Sequence, residues 1–254
     1  MDNKLGFQFI PKAESEIWVP SSKRVRAFFN GKIIADSRRT ILLRQFPMRY
    51  FFPPEDVNID WLEPGDHSDT GRLGKTKNWA VTVGNRTAES AARQYIKPPS
   101  ENHNLKGYFA FNWNSMDEWY EEDEPVTVHP RDPYTRIDIL QSSRSVKVVI
   151  AGEVIAESNR PVLLFETGHF MRYYLYRTDV RLDLLESTDK HTGCPYKGTA
   201  SYYSVKVGDT KKENIVWTYP SPYIECSRIQ NMLCFYSEKI EEFYIEGELL
   251  LHNA

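Results

Sequence analysis

Polar side chains recur at every second position near residue 180, where Asp179, Arg181 and Asp183 alternate with apolar residues. If the segment is extended, side chains alternate between its two faces, so these three share one face. On a face that lines a cavity, Asp179 or Asp183 could serve as a general base, because burial or a second carboxylate raises a carboxyl pKa. A sheet with one solvated face gives the same pattern, so both interpretations stay open.

A second group of reactive side chains lies in HTGCPYKGTASYY, residues 191–203, where Gly and Pro mark a loop that enters a strand. Thr192 and Cys194 are candidate substrate contacts there. Cys194 beside His191 could also be a nucleophile, and a small residue that fits a turn is the structural alternative. Lys197 is a candidate for anion binding or oxyanion stabilisation, since nothing nearby indicates the desolvation that a Schiff-base lysine needs.

Further candidates lie outside these two segments. The sequence HPRDPY places His129 and Arg131 between prolines, either in a salt-bridged hinge or at the mouth of a pocket between domains. Arg172 and Tyr174 stand in an aromatic stretch that either packs or binds substrate. The remaining candidate substrate contacts are Glu166 and Trp217.

Several chemistries lack their sequence motifs. The chain has no GxxxxGK[ST], strand-associated GxGxxG, HExxH or GxSxG. Six scattered His and three Cys show no spacing typical of zinc ligands, and an odd number of Cys without a CxxC pair predicts no disulfide framework. We therefore expect neither a metal nor a cofactor.

The elements that must position these residues occur twice. Residues 25–43 match residues 146–164, with Gly31 on Gly152 at a separation of 121 (152 − 31). Later blocks match at 123, as Asp56 on Asp179 (179 − 56), and at 124, as Tyr95 on Tyr219 (219 − 95). Separations that differ by one or two residues indicate small loop insertions within one duplicated unit.

The duplication predicts four parts: an N-terminal arm (1–22), a diverged first repeat (23–125), a connector (126–143) and a second, active repeat (144–254). Strand-like alternation dominates each repeat, and Asn30-Gly31 is typical of a type I′ hairpin turn. Long amphipathic helices are missing. The predicted fold class is mainly β, antiparallel, with little helix.

Composition restricts the partners. The formal charge is −3 and the pI about 6.1, without a long basic run, which argues against nucleic-acid binding. No secretory signal and no run of 18 apolar residues is present, so we expect a cytoplasmic protein with no membrane segment.

Four blocks carry a resemblance to a known family: GEVIAES, YYLYRTDVRLDLLESTDKHTGCPYKGTASYYSV, WTYPSP and FYIEGE. Together they resemble the "domain of unknown function 427" family, in the second repeat over nearly its whole length and in the first as a diverged match. The resemblance implies tent-like or roll-like β-sheets. The family has also been labelled a nucleotidyltransferase, which the DxxxD spacing and the missing glycine-serine phosphate loop disfavour.

Fungal tandem members of this family look like small-molecule enzymes of polyketide pathways, which implies closure of a pyrone-type ring, or hydrolysis, on a polyketide-like acid or thioester that a polyketide synthase delivers. Asp179 or Asp183 would be the base, with His129 as an alternative, and Arg172 and Lys197 would stabilise the oxyanion. Tyr174 and Trp217 would form the apolar wall. The family pattern falls on Arg172, Tyr174, Asp179, Asp183, Thr192, Cys194, Lys197 and Trp217, and the first repeat departs from it at Thr192, Cys194 and Lys197. A non-catalytic module that binds a ligand or peptide is the competing hypothesis.

Overall fold

The computed structural model describes residues 18–45, 47–71, 73–98 and 105–250. These residues divide after Asp132 into two compact units, here the first unit and the second unit. Each described unit contains eleven strands and short 3-10 turns, and all strand pairs are antiparallel. The tandem, mainly β organisation expected from the sequence is confirmed.

The strands of the first unit are β1 Trp18–Pro20, β2 Val25–Phe29, β3 Lys32–Ser37, β4 Ile41–Leu43, β5 Arg49–Phe51, β6 Leu62–Gly71, β7 Gly74–Val83, β8 Arg86–Lys97, β9 Phe109–Phe111, β10 Glu118–Glu121 and β11 Glu124–Pro125. Its 3-10 turns are Pro54–Asp56, Ile59–Trp61 and Trp113–Ser115.

The strands of the second unit are β12 Ile137–Gln141, β13 Val146–Ile150, β14 Glu153–Ser158, β15 Val162–Glu166, β16 Arg172–Leu175, β17 Leu185–Cys194, β18 Gly198–Val207, β19 Thr210–Thr218, β20 Leu233–Phe235, β21 Glu242–Ile245 and β22 Glu248–Leu249. Its 3-10 turns are Arg177–Asp179, Leu182–Leu184, Ile224–Ile229 and Ser237–Lys239.

The two units share one topology. In the second unit a seven-stranded sheet has the order β12-β15-β16-β20-β19-β18-β17, beside a four-stranded sheet β14-β13-β21-β22. The first unit repeats this order as β1-β4-β5 and β9-β8-β7-β6, with β11-β10-β2-β3 beside them. The large sheet of the first unit is divided into a three-stranded and a four-stranded part. Between β5 and β9 the pairing is limited to one isolated bridge, from Phe52 to Phe109.

Strand register confirms the match between the repeats residue by residue. Leu42 pairs with Tyr50 in the first unit, as Leu163 pairs with Tyr173 in the second. Trp79 pairs with Ala92 in the first unit, as the equivalent residues Tyr203 and Val216 pair in the second. Positions in one unit can therefore be compared directly with those in the other.

Each large sheet buries both faces. We call the four-stranded sheet β14-β13-β21-β22 the hairpin sheet of the second unit. Tyr173 and Leu175 of the large sheet pack towards it, in one cluster with Val148 and Phe243. The intervening Tyr174 points to the opposite face, where a second apolar cluster contains Trp217. Side chains alternate along a strand, so a sheet covered on both sides needs apolar residues at almost every position, which explains the apolar stretch VLLF in β15.

The turns follow their sequences. Asn30 and Gly31 both have positive φ, 46° and 70°, as a type I′ turn requires. The second unit repeats the turn with Ala151 and Gly152, at 51° and 79°. Both hairpins thus place the small four-stranded sheet over the core.

Two sequence-based expectations need correction. Residues 179–184 are not extended: the backbone forms 3-10 turns at Arg177–Asp179 and Leu182–Leu184, because Val180 N–H bonds back to Arg177 and Arg181 N–H bonds to Ile155. In addition, the assigned arm contains β1 and the assigned connector contains β12, each of which is an edge strand of a large sheet. In the described ranges, no helix is long and apolar enough to cross a membrane.

Candidate functional site

Asp179 occupies a structural position. Ser158 donates a hydrogen bond of 2.7 Å to Oδ2, and Arg160 donates to Oδ1 at 2.9 Å. Hydrogen bonds from Arg160 hold the pKa of Asp179 below its usual value. The first unit repeats the arrangement with Ser37, Arg39 and Asp56. A carboxylate with a lowered pKa that already accepts several hydrogen bonds is a poor general base, so the structure does not support that role for Asp179.

Asp183 lies on the surface. Its side chain is 60% exposed, and both its oxygens accept from Arg181 of the same turn, at 2.9 and 2.7 Å. These bonds lower its pKa. The expectation that it faces a hollow beside Asp179 is wrong, because the 3-10 turn directs it outwards. The two aspartates are bound to different arginines and share no site.

Most of the other predicted residues do come together, on the face of the seven-stranded sheet that is opposite the hairpin sheet. We call Arg172, Tyr174, Tyr202, Trp217 and Tyr236 the aromatic face. The Arg172 guanidinium lies 5.3 Å from the Trp217 ring centroid and 5.8 Å from that of Tyr236. Trp217 donates its indole N–H to the Tyr174 hydroxyl at 3.2 Å. Strand alternation brings these residues together, because β16, β18, β19 and β20 are neighbours.

Arg172 is fixed at the edge of this face. It donates two hydrogen bonds to Glu238, at 2.6 and 2.9 Å, with its side chain 20% exposed. A bidentate pair that also stacks on rings has a defined orientation. The guanidinium is therefore a positioned cation that solvent can still reach.

Hydroxyl groups continue the face. The Tyr202 hydroxyl lies 2.8 Å from the Thr192 hydroxyl and 3.3 Å from that of Tyr236. Burial raises the pKa of Tyr236, as does the hydrogen bond with Tyr202. Tyr236 therefore keeps its proton at neutral pH and is a hydrogen-bond donor beside Arg172.

Lys197 and Glu166 form a buried ion pair at one end of the same sheet. The Lys197 ammonium is 2.5 Å from a Glu166 oxygen, and the two side chains are 10% and 8% exposed. Lys197 precedes β18, and Glu166 ends β15. Both members of this pair are buried, whereas Arg172 and Glu238 are 20% and 29% exposed, so the structure does not support the oxyanion-stabilising role expected for Lys197.

The thiols are mostly protected. Cys194 is half-buried, while Cys226 and Cys234 are buried. Burial raises the pKa of Cys226 to about 11 and that of Cys234 further. Tyr219 packs in the same cluster, and its pKa is raised by burial and then by nearby Cys194. The Cys226 and Cys234 thiols and the Tyr219 phenol are therefore neutral at physiological pH.

The two candidate residues of the connector, His129 and Arg131, belong to the first unit. His129 Nδ1 lies 2.7 Å from the Pro130 carbonyl, and the Arg131 N–H donates to Glu121 at 3.3 Å. Arg44 and Asp132 form a buried ion pair next to them, at 2.8 Å. The described contacts are those of an ordered polar segment within that unit.

Sequence reasoning missed Tyr202, Tyr219, Tyr236 and Glu238. Strand alternation could have placed Tyr202 on the face of Ala200, since both lie in the strand GTASYYSV. Glu238 had no comparable pattern, because it follows β20 in a turn. Its role depends on where that turn brings it relative to Arg172.

Comparison with known families decides where the chain belongs. The family model for the domain of unknown function 427 matches residues 17–122 and again residues 138–246. The protein is a tandem member of this family. No curated protein matches the chain.

The two domains of this tandem differ at the equivalent face. The first domain keeps the arginine, as Arg49, and the tyrosine of position 219, as Tyr95. By strand register Trp217 is replaced by Arg93, and by the repeat separation Glu166 is replaced by Gln45. The Trp217 indole and the Lys197–Glu166 ion pair of the second domain therefore have no counterpart there, and a cavity of about 530 Å³ occupies the equivalent face.

Proposed function

We propose that this protein is a small-molecule enzyme that closes a lactone ring, of the pyrone type, on a flexible polyketide-like acid or thioester, or hydrolyses it, at the aromatic face of the second unit. The observation that carries the proposal is the Arg172 guanidinium, held by Glu238 over two aromatic rings beside the neutral Tyr236 phenol. A fixed cation and a fixed donor stabilise developing negative charge without reorganisation.

The proposed step is acyl transfer within one molecule. The enol oxygen of the chain forms a bond to the thioester carbonyl carbon, the carbon–sulfur bond breaks, and the enol proton passes to the departing thiolate. With the free acid, the bond to the carboxyl hydroxyl group breaks instead, and this group leaves as water with the enol proton. In hydrolysis of the thioester, water replaces the enol. Folding the chain against an aromatic wall brings the two ends together, which is the largest contribution available to an intramolecular reaction.

The residues have defined roles in this step. Arg172 and Tyr236 donate to the carbonyl oxygen as it becomes an oxyanion, and Trp217 forms the wall on which the chain folds. No aspartate acts as base, since the leaving thiolate accepts the proton. The buried Lys197–Glu166 pair shapes the end of the sheet. The proposal includes a polyketide synthase as the source of a carrier-bound chain and a cytoplasmic location.

A non-catalytic ligand-binding module is the second candidate. It is favoured by burial: Trp217 and Tyr202 are only 6% and 5% exposed, so the face is mostly closed in this conformation. In this case the chain would bind its ligand at the edge near Arg172 and release it unchanged.

A synthetic triketide diketo thioester of N-acetylcysteamine tests both candidates. Pyrone formation above the spontaneous rate, followed by absorbance and mass spectrometry, supports ring closure, and release of the open acid supports hydrolysis. Saturable binding without either product would support the binding module instead. The absence of turnover and of binding would contradict the proposal for this substrate class.

A further inference from the structure

The cavity of the first unit has polar and apolar walls. It has a volume of about 530 Å³, within the range of small-molecule sites. Its apolar wall includes Leu43, Leu73 and the ring of Tyr95. Arg49 and Arg93 supply its positive charge, and Asp69 is its acidic lining residue. Among the described residues, the lining therefore carries two cations against one anion.

Both arginine side chains lack a partner among the described residues. There, neither the Arg49 nor the Arg93 side chain makes an ion pair, a hydrogen bond or a ring contact, and both residues are half-buried. For Arg49, the comparison with the second unit explains this. Arg172 pairs there with Glu238, whereas the equivalent residue of the first unit is the neutral Asn114. Half-buried guanidinium groups without a counterion favour an anion.

The acidic residue does not neutralise them. An oxygen of Asp69 accepts a hydrogen bond of 3.0 Å from Asn78. This pair stands where Thr192 and Tyr202 bond in the second unit, so it continues a structural contact. The positive charge of the arginines therefore stays available to a ligand.

A third group in the cavity is unsatisfied. The side-chain oxygen Oε1 of Gln45 is buried and accepts no hydrogen bond from the part of the chain that the structure describes. A buried acceptor without a donor is costly, so a ligand that supplies an O–H or N–H gains affinity there. This requirement is separate from the charge of the arginines.

We propose that this cavity binds a small organic carboxylate with a hydroxyl group on a flexible apolar chain. The carboxylate accepts hydrogen bonds from Arg49 and Arg93, the hydroxyl donates to Gln45, and the chain lies against Leu43 and Leu73. The site goes beyond the proposed reaction of the second unit and does not rest on it.

Calorimetry with 3-hydroxyoctanoate tests the proposal on the full chain, with the uncharged 1,3-octanediol as the matched ligand. We expect one saturable site for 3-hydroxyoctanoate, with an affinity that falls as the salt concentration rises. The diol should bind about tenfold more weakly or worse. Arg49→Met and Arg93→Met should each lower the affinity for 3-hydroxyoctanoate by about tenfold or more. Arg181→Met, which removes the same charge from the surface of the second unit, should leave the affinity unchanged.

Leu73→Trp keeps every charge and fills the cavity, so it should abolish binding while circular dichroism stays unchanged. Gln45→Leu should lower the affinity for 3-hydroxyoctanoate. It should leave the affinity for octanoate, which has no hydroxyl group, unchanged. Failure of the acid to bind at millimolar concentration would overturn the proposal. Wild-type affinity for 3-hydroxyoctanoate in the Arg49→Met and Leu73→Trp variants would also overturn it. So would inorganic phosphate that binds as tightly as 3-hydroxyoctanoate.

Discussion

Arg160 binds both carboxylate oxygens of Asp179, at 2.9 and 3.3 Å, while Ser158 donates to one of them. The same three residue types meet in the first unit, as Ser37, Arg39 and Asp56. In the second unit, the contact joins the end of β14 to the 3-10 turn that follows β16. The most conspicuous acidic residue of the second repeat is therefore part of the scaffold.

Replacing Asp179 should affect stability. Asp179→Ala leaves the buried Ser158 hydroxyl without its acceptor, and we expect a loss of about 1–3 kcal/mol in the free energy of unfolding of the second unit. Urea denaturation followed by circular dichroism measures it. Asp183→Ala, on the exposed pair, is the matched control and should cause a much smaller change. Equal losses in the two variants would contradict the structural role of Asp179.

The same contact predicts a pH dependence. Because the pKa of Asp179 is lowered in the folded state, its contribution is fully present above the pKa of an unfolded aspartate, about 3.9, and is lost as the pH falls through the folded value. Wild-type protein should thus lose more stability than Asp179→Ala on acidification below about pH 4. Parallel stability curves for the two proteins would show that this carboxylate is not linked to folding.

The buried pair of Lys197 and Glu166 should behave cooperatively. Glu166→Gln or Lys197→Leu alone leaves a buried partner charge, at an expected cost of about 3 kcal/mol or more. The double variant recreates the first-unit residues Gln45 and Leu73 and should recover most of that loss. A double-mutant cycle from chemical denaturation checks this. Additive losses would contradict a direct buried ion pair.

Two equivalent glycines should differ in tolerance. Gly74 and Gly198 both have positive φ, +93° and +99°. A Cβ on Gly74 would lie 2.1 Å from the Lys97 carbonyl oxygen, whereas one on Gly198 would lie 3.2 Å from that of Ser221. We expect Gly198→Ala to cost about 1–3 kcal/mol, from backbone strain, and Gly74→Ala clearly more. The midpoints of urea denaturation of the two variants measure this difference. A lower midpoint for Gly198→Ala than for Gly74→Ala would contradict the geometry.

The three thiols should react unequally. At pH 8 only about one thousandth of Cys226 is thiolate, since its pKa is about 11, and Cys234 is less ionised still. Iodoacetamide should therefore label the half-buried Cys194 first in the folded protein. Peptide mass spectrometry with time identifies the order. Labelling of Cys234 at the rate of Cys194 would show that the sheet opens more easily than the structure indicates.

Much of the fold could be predicted from sequence. The separations between matched residues predicted the equivalence of the repeats, because insertions fall in loops and leave strand register intact. The prediction failed at residues 179–184, where apolar–polar alternation also fits two consecutive 3-10 turns. Which backbone forms there depends on hydrogen bonds to residues such as Ile155, far away in sequence.

The candidate site was predicted in part. Arg172, Tyr174 and Trp217, three of the positions on which the family pattern falls, share a face. Glu238 could not be found, since only the path of a turn brings it to Arg172. Arg49 and Arg93, whose side chains find no partner in the described ranges, could not be recognised either, because pairing depends on which residues the fold brings nearby. The sequence therefore predicted the residues of the aromatic face better than the partners of its charged groups.

The central claim, that Arg172 stabilises the oxyanion, is tested most directly by the turnover of the diketo thioester in two arginine variants. Arg172→Met should lower kcat/KM by about a hundredfold, while Arg181→Met, which removes a surface arginine of the same unit, should retain wild-type turnover. Wild-type kcat/KM in folded Arg172→Met would contradict the account.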